Sequence, residues 1–488
     1  MYSIIQDSRN EYNFKKLNDM STLTDALQTK DTTTENGMET NSSTLNDCVN
    51  LFFTIGAMRG QKMERLISLF SKAFEEDKQT ALRILFWVRD IRGGAGERQI
   101  TKDILSYLAN TNPSVLENVI QFIPTYGRWD DLHCLFNTPL ELKAIKLIVE
   151  GLENGSGLAA KWTPRKGDVF NKIRSYMKVS PKTLRKMVVG LSKTVEQQMC
   201  SKQWGSIEYD KIPSLAMARY SKAFYKNDED RFFDYKQSLK VGDVKINAGA
   251  LYPYDVIKTL TKGDRDIAVA QWEELPNYME GVEGKVILPV VDVSGSMTVP
   301  AGGNPNLSCM DVAISLGLYI SERNTGSLKD TFMTFSEKPQ LQKLKGDLAN
   351  KHNQLERSEW GYSTNLEKVF DKILQQAVKH DLPQSELPTK VLILSDMEFN
   401  QAVRSDDTAF ETVKRSFTEN GYDIPKVVFW NIQSRQNNFP VRFDEEGTCL
   451  VSGFSPSIMT SLLGGDDMTP VSIMNKTVNS ERYEQIKI

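Results

Sequence analysis

Between Lys285 and Met297 the chain reads KVILPVVDVSGSM, and few architectures accommodate that run. Val286, Ile287, Leu288, Val290 and Val291 form a short apolar, β-branched stretch. It is too short to span a membrane and predicts a buried central strand. The strand ends on Asp292, and the chain turns through Val293-Ser294-Gly295-Ser296. The pattern is D-x-S-x-S at the carboxyl end of a buried strand, the edge where open α/β sheets bind ligands. One carboxylate and two hydroxyls are hard oxygen donors, suited to Mg²⁺ or Mn²⁺ rather than to a soft metal.

Further donors lie downstream. Thr364 sits in GYSTNL, just before a helical pattern, and Asp396 follows a second buried strand, Lys390–Ser395, in KVLILSDM. This succession resembles the metal-ion-dependent adhesion site of von Willebrand factor A domains. The resemblance implies that Ser294 and Ser296 bind the metal through their hydroxyls. It also implies that Thr364, Asp292 and Asp396 complete the shell, partly through water, and that one position stays open for a partner's carboxylate. A plainer reading competes: Ser294 and Ser296 cap the next helix and Asp292 is a turn residue.

At 488 residues the chain has room for about two to four domains. A net charge of −3 confines any nucleic-acid surface to a local patch. The five cysteines, Cys48, Cys134, Cys200, Cys309 and Cys449, are scattered and odd in number, which predicts a reducing compartment without a disulfide frame or a zinc site. No basic-then-apolar leader and no apolar run of membrane length is present, so the reading is cytoplasmic, without a membrane partner. Residues 1–46 are rich in Thr, Asn, Asp and Ser and predict a flexible, solvated arm.

From 47 to 283 the texture is helical. CVNLFFTIGAM, KMERLISLFSKAF, TALRILFWVRDI, ERQITKDILSYLA, VLENVIQFI, RWDDLHCLF and LELKAIKLIVEGL carry apolar residues at helical spacing, punctuated by Gly, Pro or Asn. Short amphipathic helices in series without strands predict stacked hairpins, an α-solenoid of the HEAT kind.

Three places in this region carry unusual chemistry. In WVRDIRGGAGERQ, residues 87–99, Arg89, Arg92 and Arg98 surround a glycine-rich break. Free backbone N–H groups before the next helix would receive a phosphate there; a plain inter-helix turn is the alternative. In YGRWDDL, residues 126–132, Arg128 either joins that surface or pairs with Asp130 or Asp131. From Lys161 to Lys202 there are eleven Lys or Arg and only two acids, Asp168 and Glu196. Lys161, Arg165, Lys166, Arg174, Lys178, Lys182 and Arg185 therefore stand as candidate RNA contacts on charge and position. Trp162, Tyr176 and Trp204 offer rings for unpaired bases. An ordinary solvated face with snorkelling lysines is the alternative.

A helical repeat region joined to a metal-binding A domain is similar to the Ro ribonucleoprotein, or TROVE, family. LFWVRDIRGGAGERQ, YGRWDDL, KWTPRKG, SLAMARYSKAF and INAGALYPYDV look closer still to a Ro-like branch found in phages, bacteria and plants. The resemblance runs from about Asn46 to the C-terminus. It implies a ring of HEAT-like helices closed by the A domain, with misfolded or free-ended single-stranded RNA inside and small structured RNA on the basic outer face.

The fold expected is thus an N-terminal HEAT-like α-solenoid (47–283) followed by a doubly wound, Rossmann-like von Willebrand factor A domain (284–464). A polar tail (465–488) follows, able to pack back on the solenoid. No enzyme is expected. The three histidines, His133, His352 and His380, lie outside the metal loops in sequence, and no nucleophile–base pattern is readable. Glu398 is close enough to Asp396 to serve as a base, but more often such an acid is solvated. The expected function is an RNA-binding scaffold with a Mg²⁺ or Mn²⁺ site. A protein-interaction module gripping a partner's carboxylate is the alternative, and a metal-dependent nuclease the third choice.

Overall fold

The computed structural model describes residues 31–281, 286–335, 338–358, 364–400, 409–463 and 467–488. The first thirty residues of the arm, the boundary at 283/284, Trp360 and Gly464 lie outside the described residues.

The N-terminal half is helical because its sequence supplies caps and apolar stripes at the right spacing. Asn46 accepts from Val49 N at 2.8 Å and starts the helix Asp47–Ile55. Asp77 accepts from Gln79 N and Thr80 N, so Met63–Glu76 ends and Lys78–Arg89 begins at one residue. Helices Gln99–Thr111, Glu141–Glu153, Asp168–Met177 and Pro181–Ser192 continue the series. Two expected helices differ. Trp129–Leu135 is a 3₁₀ helix, and the VLENVIQFI helix gives way after Val119 to a 3₁₀ turn. At the start of Trp129–Leu135 Arg128 N donates to Asp131 Oδ2 at 2.9 Å and Asp131 N donates to Arg128 O at 2.9 Å, which favours the tighter turn.

The C-terminal half is a six-stranded sheet ordered β5-β4-β3-β6-β7-β8. Its strands are β3 (Ile287–Asp292), β4 (Thr331–Phe335), β5 (Leu341–Lys343), β6 (Lys390–Ser395), β7 (Lys426–Asn431) and β8 (Thr448–Ser452). A two-stranded ribbon, β1 (Thr32–Thr33) and β2 (Glu39–Thr40), precedes the helices. All pairings in the large sheet are parallel except β4 with β5, an antiparallel edge. β3 and β6 are buried along their whole length, which is why they read as unbroken apolar runs. Helix Cys309–Arg323 packs on β3 so closely that a Cβ at Gly317 would come 2.5 Å from the Val291 side chain. The chain leaves β3 for β4 on one side and returns to β6 on the other. This switch point places the carboxyl ends of β3 and β6 at a natural crevice.

The two halves are not separate bodies. Among the described residues one apolar cluster runs from the helices of 48–188 and 248–279 into the sheet. Helix Asp47–Ile55 lies on β8, where Gly56 N donates to Ser452 Oγ at 3.1 Å and that hydroxyl donates to Phe52 O at 2.8 Å. A Cβ at Gly56 would meet the Ser452 backbone at 2.8 Å. At the far end of the helical region, Arg323 of helix Cys309–Arg323 donates to Trp272 O at 2.7 Å. The helical half therefore touches the sheet half at its beginning and at its end. A smaller second cluster gathers Val195, Ile207, Tyr209, Met217, Phe224, Phe232 and Tyr235.

Of the two expectations about the termini, one needs correction. Residues 31–46 are not a solvated arm: Thr34, Thr40, Asn41 and Thr44 are buried. Their polar groups are satisfied by distant partners. Thr34 Oγ1 donates to Phe399 O at 2.6 Å and Asn41 Nδ2 to Phe439 O at 2.9 Å. The tail packs back, as anticipated, through specific polar contacts: Arg482 and the Tyr483 hydroxyl hold the buried Asp90 carboxylate. Among the described residues no helix is long and apolar enough to cross a membrane.

Candidate functional site

The parallel register of β3 and β6 pairs Val291 with Leu394, so Asp292 comes level with Ser395. Ser395 Oγ donates to Asp292 Oδ2 at 2.6 Å, and Ser294 N donates to Asp292 Oδ1 at 2.9 Å. The hydroxyls of Ser294 and Ser296 lie 3.0 Å apart. Asp396 follows Ser395 and is held by Ser296 and by Glu398 N at 3.3 Å. Asp292, Ser294, Ser296 and Asp396 thus meet at the switch point between two central strands.

Thr364 is tied to the loop after β6, to residues two and four positions beyond Asp396. Its Oγ1 donates to Glu398 O at 2.7 Å and lies 3.0 Å from Asn400 Oδ1, while Asn400 N donates to Thr364 O at 2.9 Å. A hydroxyl that gives its only proton to a carbonyl keeps its lone pairs for a cation. Ser395, which immediately precedes the strand-end acid and carries no motif of its own, acts differently: its hydroxyl donates to the Asp292 carboxylate and accepts from Met397 N at 3.1 Å, so it orients Asp292.

Among the described residues no three His, Cys, Asp or Glu side chains converge as a cage. The cluster is instead the carboxylates of Asp292 and Asp396 with the hydroxyls of Ser294 and Ser296, and with the Thr364 hydroxyl on the adjoining loop; all are oxygen, a donor set that fits Mg²⁺ or Mn²⁺ and not a soft metal. Its electrostatics ask for positive charge. Burial, and then the charge of Asp396, push the Asp292 carboxyl well up from the usual range. Burial also raises Asp396, against the pull of Arg435. Glu398, read from sequence as a solvated acid or a base, is buried and pushed up to about 7, chiefly by burial. It accepts from Glu35 N at 2.8 Å and Asn438 Nδ2 at 3.0 Å, which ties the N-terminal segment to this loop. Arg435, which no local pattern marks, reaches in from the loop after β7 and donates to Asp396 Oδ2 at 3.0 Å and Ser296 O at 2.7 Å.

The basic candidates divide sharply. Arg89 is buried and ion-paired with Asp131 at 2.6 Å, so it is a core strut and not a surface contact. Arg98 pairs with Asp130, and with Asp131 at 3.5 Å. Arg128 lies 3.2 Å from Asp130 and stacks 4.0 Å over Trp162, which realises the pairing alternative. Arg92 is exposed. The phosphate-receiving turn is also corrected. Gly94 N donates to Asp90 O, Ala95 N to Trp87 O and Glu97 N to Val88 O, so these groups close the preceding helix. A Cβ at Gly94 would stand 1.8 Å from Trp87 O, which explains the glycine. The following helix starts at Gln99, and the buried Glu97 carboxylate beside it is paired with Arg59 at 2.9 Å, a poor neighbour for phosphate.

By contrast Arg165, Lys166 and Lys178 are exposed in the loops that flank helix Asp168–Met177, and Lys182 and Arg185 are exposed on helix Pro181–Ser192. Arg185 Nε donates to Arg165 O at 3.1 Å, which binds the loop of 163–167 to the second helix. Lys161 and Arg174 are half-buried; Lys161 sits 5.7 Å over Trp162, and Arg174 reaches Val179 O at 3.4 Å. Of the three rings, Tyr176 is 41% exposed, Trp162 is covered by Arg128, and Trp204 packs against the second apolar cluster.

Fold and site together define a class: an open α/β sheet with an oxygen-donor cluster at its switch point, fused to a helical domain bearing a basic face. Residues 34–138 and 160–285 match a domain of unknown function, DUF2828, and residues 287–487 match a second, DUF7788. The chain is 31% identical to the uncharacterized protein L728 of Acanthamoeba polyphaga mimivirus, across 90% of this chain and 86% of the viral protein. It belongs to the family of that protein.

Proposed function

We propose that this chain is an RNA-binding scaffold of the Ro-like type, in which a HEAT-like helical domain is closed by a von Willebrand factor A-like domain carrying a divalent-cation site. The observation that carries the reading is the exposed cationic face of Arg165, Lys166, Lys178, Lys182 and Arg185 on a chain whose other arginine cluster is neutralised internally. Exposed cations on one helix and its flanking loops suit a phosphate backbone, and Tyr176 among them suits a splayed base. Contact of the helical half with the sheet half at both of its ends supports a closed arrangement. When bound, Mg²⁺ or Mn²⁺ would be held by Asp292, Ser294, Ser296, Thr364 and Asp396, and would supply a point of attachment for an acidic group. The protein's own part is to hold those oxygens at the switch point and to bury the two carboxylates.

The test is binding of labelled single-stranded RNA over a salt series. For the variant R165E/K166E/K182E we expect affinity to fall ~10-fold or more at low salt, with a flatter salt slope. Unchanged affinity would remove the RNA reading. The second reading, a protein-interaction module, is favoured by the oxygen-donor cluster itself, where a bound cation would grip an acidic side chain of a partner. It predicts no RNA affinity, together with EDTA-sensitive binding of an acidic peptide. Mg²⁺-dependent shortening of the RNA would instead indicate a nuclease.

A further inference from the structure

Arg435 makes an arrangement that neither the fold nor the donor cluster requires. Its side chain is 25% exposed while that of Asp396 is fully buried, so the guanidinium comes from the solvent side onto a buried carboxylate. The same Nη2 donates to Ser296 O. It therefore bridges two of the three loops that carry the oxygen donors. A guanidinium there supplies the positive charge that the buried carboxylates need.

The loop that carries Arg435 is held from the other half of the chain. Arg65, on helix Met63–Glu76, donates to the carbonyls of Ser434 at 2.8 Å, Arg435 at 3.0 Å and Gln436 at 2.8 Å. It also reaches Ser434 Oγ at 3.0 Å and Asn437 Oδ1 at 2.8 Å. Ser434 N donates in turn to Ala57 O at 3.2 Å. All five of these acceptors are neutral oxygens of one loop, so this guanidinium fixes the loop as a bound cation would. A second carboxylate waits beside Arg435: Glu35 Oε2 lies 3.9 Å from its Nη1, and Glu35 is tied to Gln436 at 3.0 Å.

We infer that Arg435 is the resident counter-charge of the cluster and the gate of its cation site. A divalent cation and the guanidinium compete for Asp396, and Arg65 sets the terms by holding loop 432–438. This rests on the cation site proposed above. On arrival of the cation, the Asp396 oxygen passes from guanidinium to metal, and Arg435 moves toward Glu35 on the N-terminal segment. Cation occupancy is thereby communicated to the helical half through Arg65 and to residues 34–36 through Glu35. Arg65 and Glu35 are positioning residues, and Arg435 is the competitor.

The experiment is calorimetric titration of the full chain with Mn²⁺, alongside thermal melting in EDTA. Removing the guanidinium in R435Q is expected to tighten Mn²⁺ binding by ~10-fold or more, since a like charge leaves the site. In EDTA the same variant should melt below the wild type, and Mn²⁺ should restore it. R435K, which keeps the charge without the two-pronged geometry, should fall between them and guards against a folding defect. R65Q should tighten Mn²⁺ binding less than R435Q, and E35Q should weaken it by denying the guanidinium its second partner. If R435Q binds Mn²⁺ no more tightly than wild type while D292A abolishes binding, the gate is wrong and the cation site stands. If wild type, R435Q and D292A all fail to bind Mn²⁺, the cation site itself is wrong and the gate falls with it.

Discussion

Two arginine-rich regions of this molecule look alike as strings and behave oppositely as structures. In the first, Arg89, Arg98 and Arg128 surround Asp130 and Asp131, with Lys102 3.6 Å from Asp131 as well. Every one of those cations is engaged, and Asp131 is fully buried. In the second, over 161–193, acids are scarce and Arg165, Lys166, Lys178, Lys182 and Arg185 stay exposed. What separates them is the supply of carboxylates within reach. A cation beside a buried acid is held to satisfy that acid, because breaking the pair strands a charge. A cation with none stays in water until a polyanion arrives.

The largest effect should follow from breaking the first region. Arg89→Ala takes from buried Asp131 its nearest and most buried cation, leaving Arg98 and Lys102 at 3.5 and 3.6 Å, and should cost ~2–3 kcal/mol of unfolding free energy in a denaturant titration, with RNA affinity of the folded protein unchanged. A loss below ~1 kcal/mol would make the pair equivalent to a surface one and erase the distinction. Next comes the second region. K178E/K182E should lose ~10-fold in affinity for single-stranded RNA at low salt, by fluorescence anisotropy. Its stability should shift by no more than ~0.5 kcal/mol. A large stability change would mean that these residues also serve as struts.

The aromatic neighbours sharpen the contrast further. Tyr176→Ala should weaken RNA binding by ~1 kcal/mol, while Trp162→Ala, whose ring lies under Arg128, should register in melting temperature instead. Reversed outcomes would show that the paired region is the one that opens to RNA. The smallest effect concerns pH. Burial, helped by Lys102 and Arg98 and opposed by Asp130 and Asp131, lowers the pKa of His133 from 6.5. The fold therefore favours neutral imidazole, and this contribution to stability is present above pH 6.5 and lost as pH falls below it. His133→Gln should flatten the fall in melting temperature over that range, and charge reversals in the second region should not. An unchanged profile in His133→Gln would remove this pH link.

Much of the sheet was legible because its strands are buried on both faces. The apolar runs Ile287–Asp292, Lys390–Ser395 and Lys426–Asn431 need no partner to be recognised. Asp292, Ser294 and Ser296 are legible for a related reason: they share one strand end, and the register with β6 brings Ser395 and Asp396 alongside. The N-terminal segment misled because its polar composition matches solvated chain. Thr34 and Asn41 are nevertheless buried, since backbone carbonyls more than 360 positions away accept their hydrogen bonds. The Gly-rich turn misled because a free N–H and one already given to Trp87 O have the same spelling.

Periodicity, strand runs and caps are short-range, and they suffice for a helical half followed by an α/β half with hydroxyls and carboxylates at a strand end. Which cations stay exposed, why Arg435 lies on Asp396, and how Arg65 grips the loop beneath it depend on residues brought together from opposite ends of the chain. Such pairings leave no spacing to read, because they exist only once the common apolar core has drawn the two halves into contact.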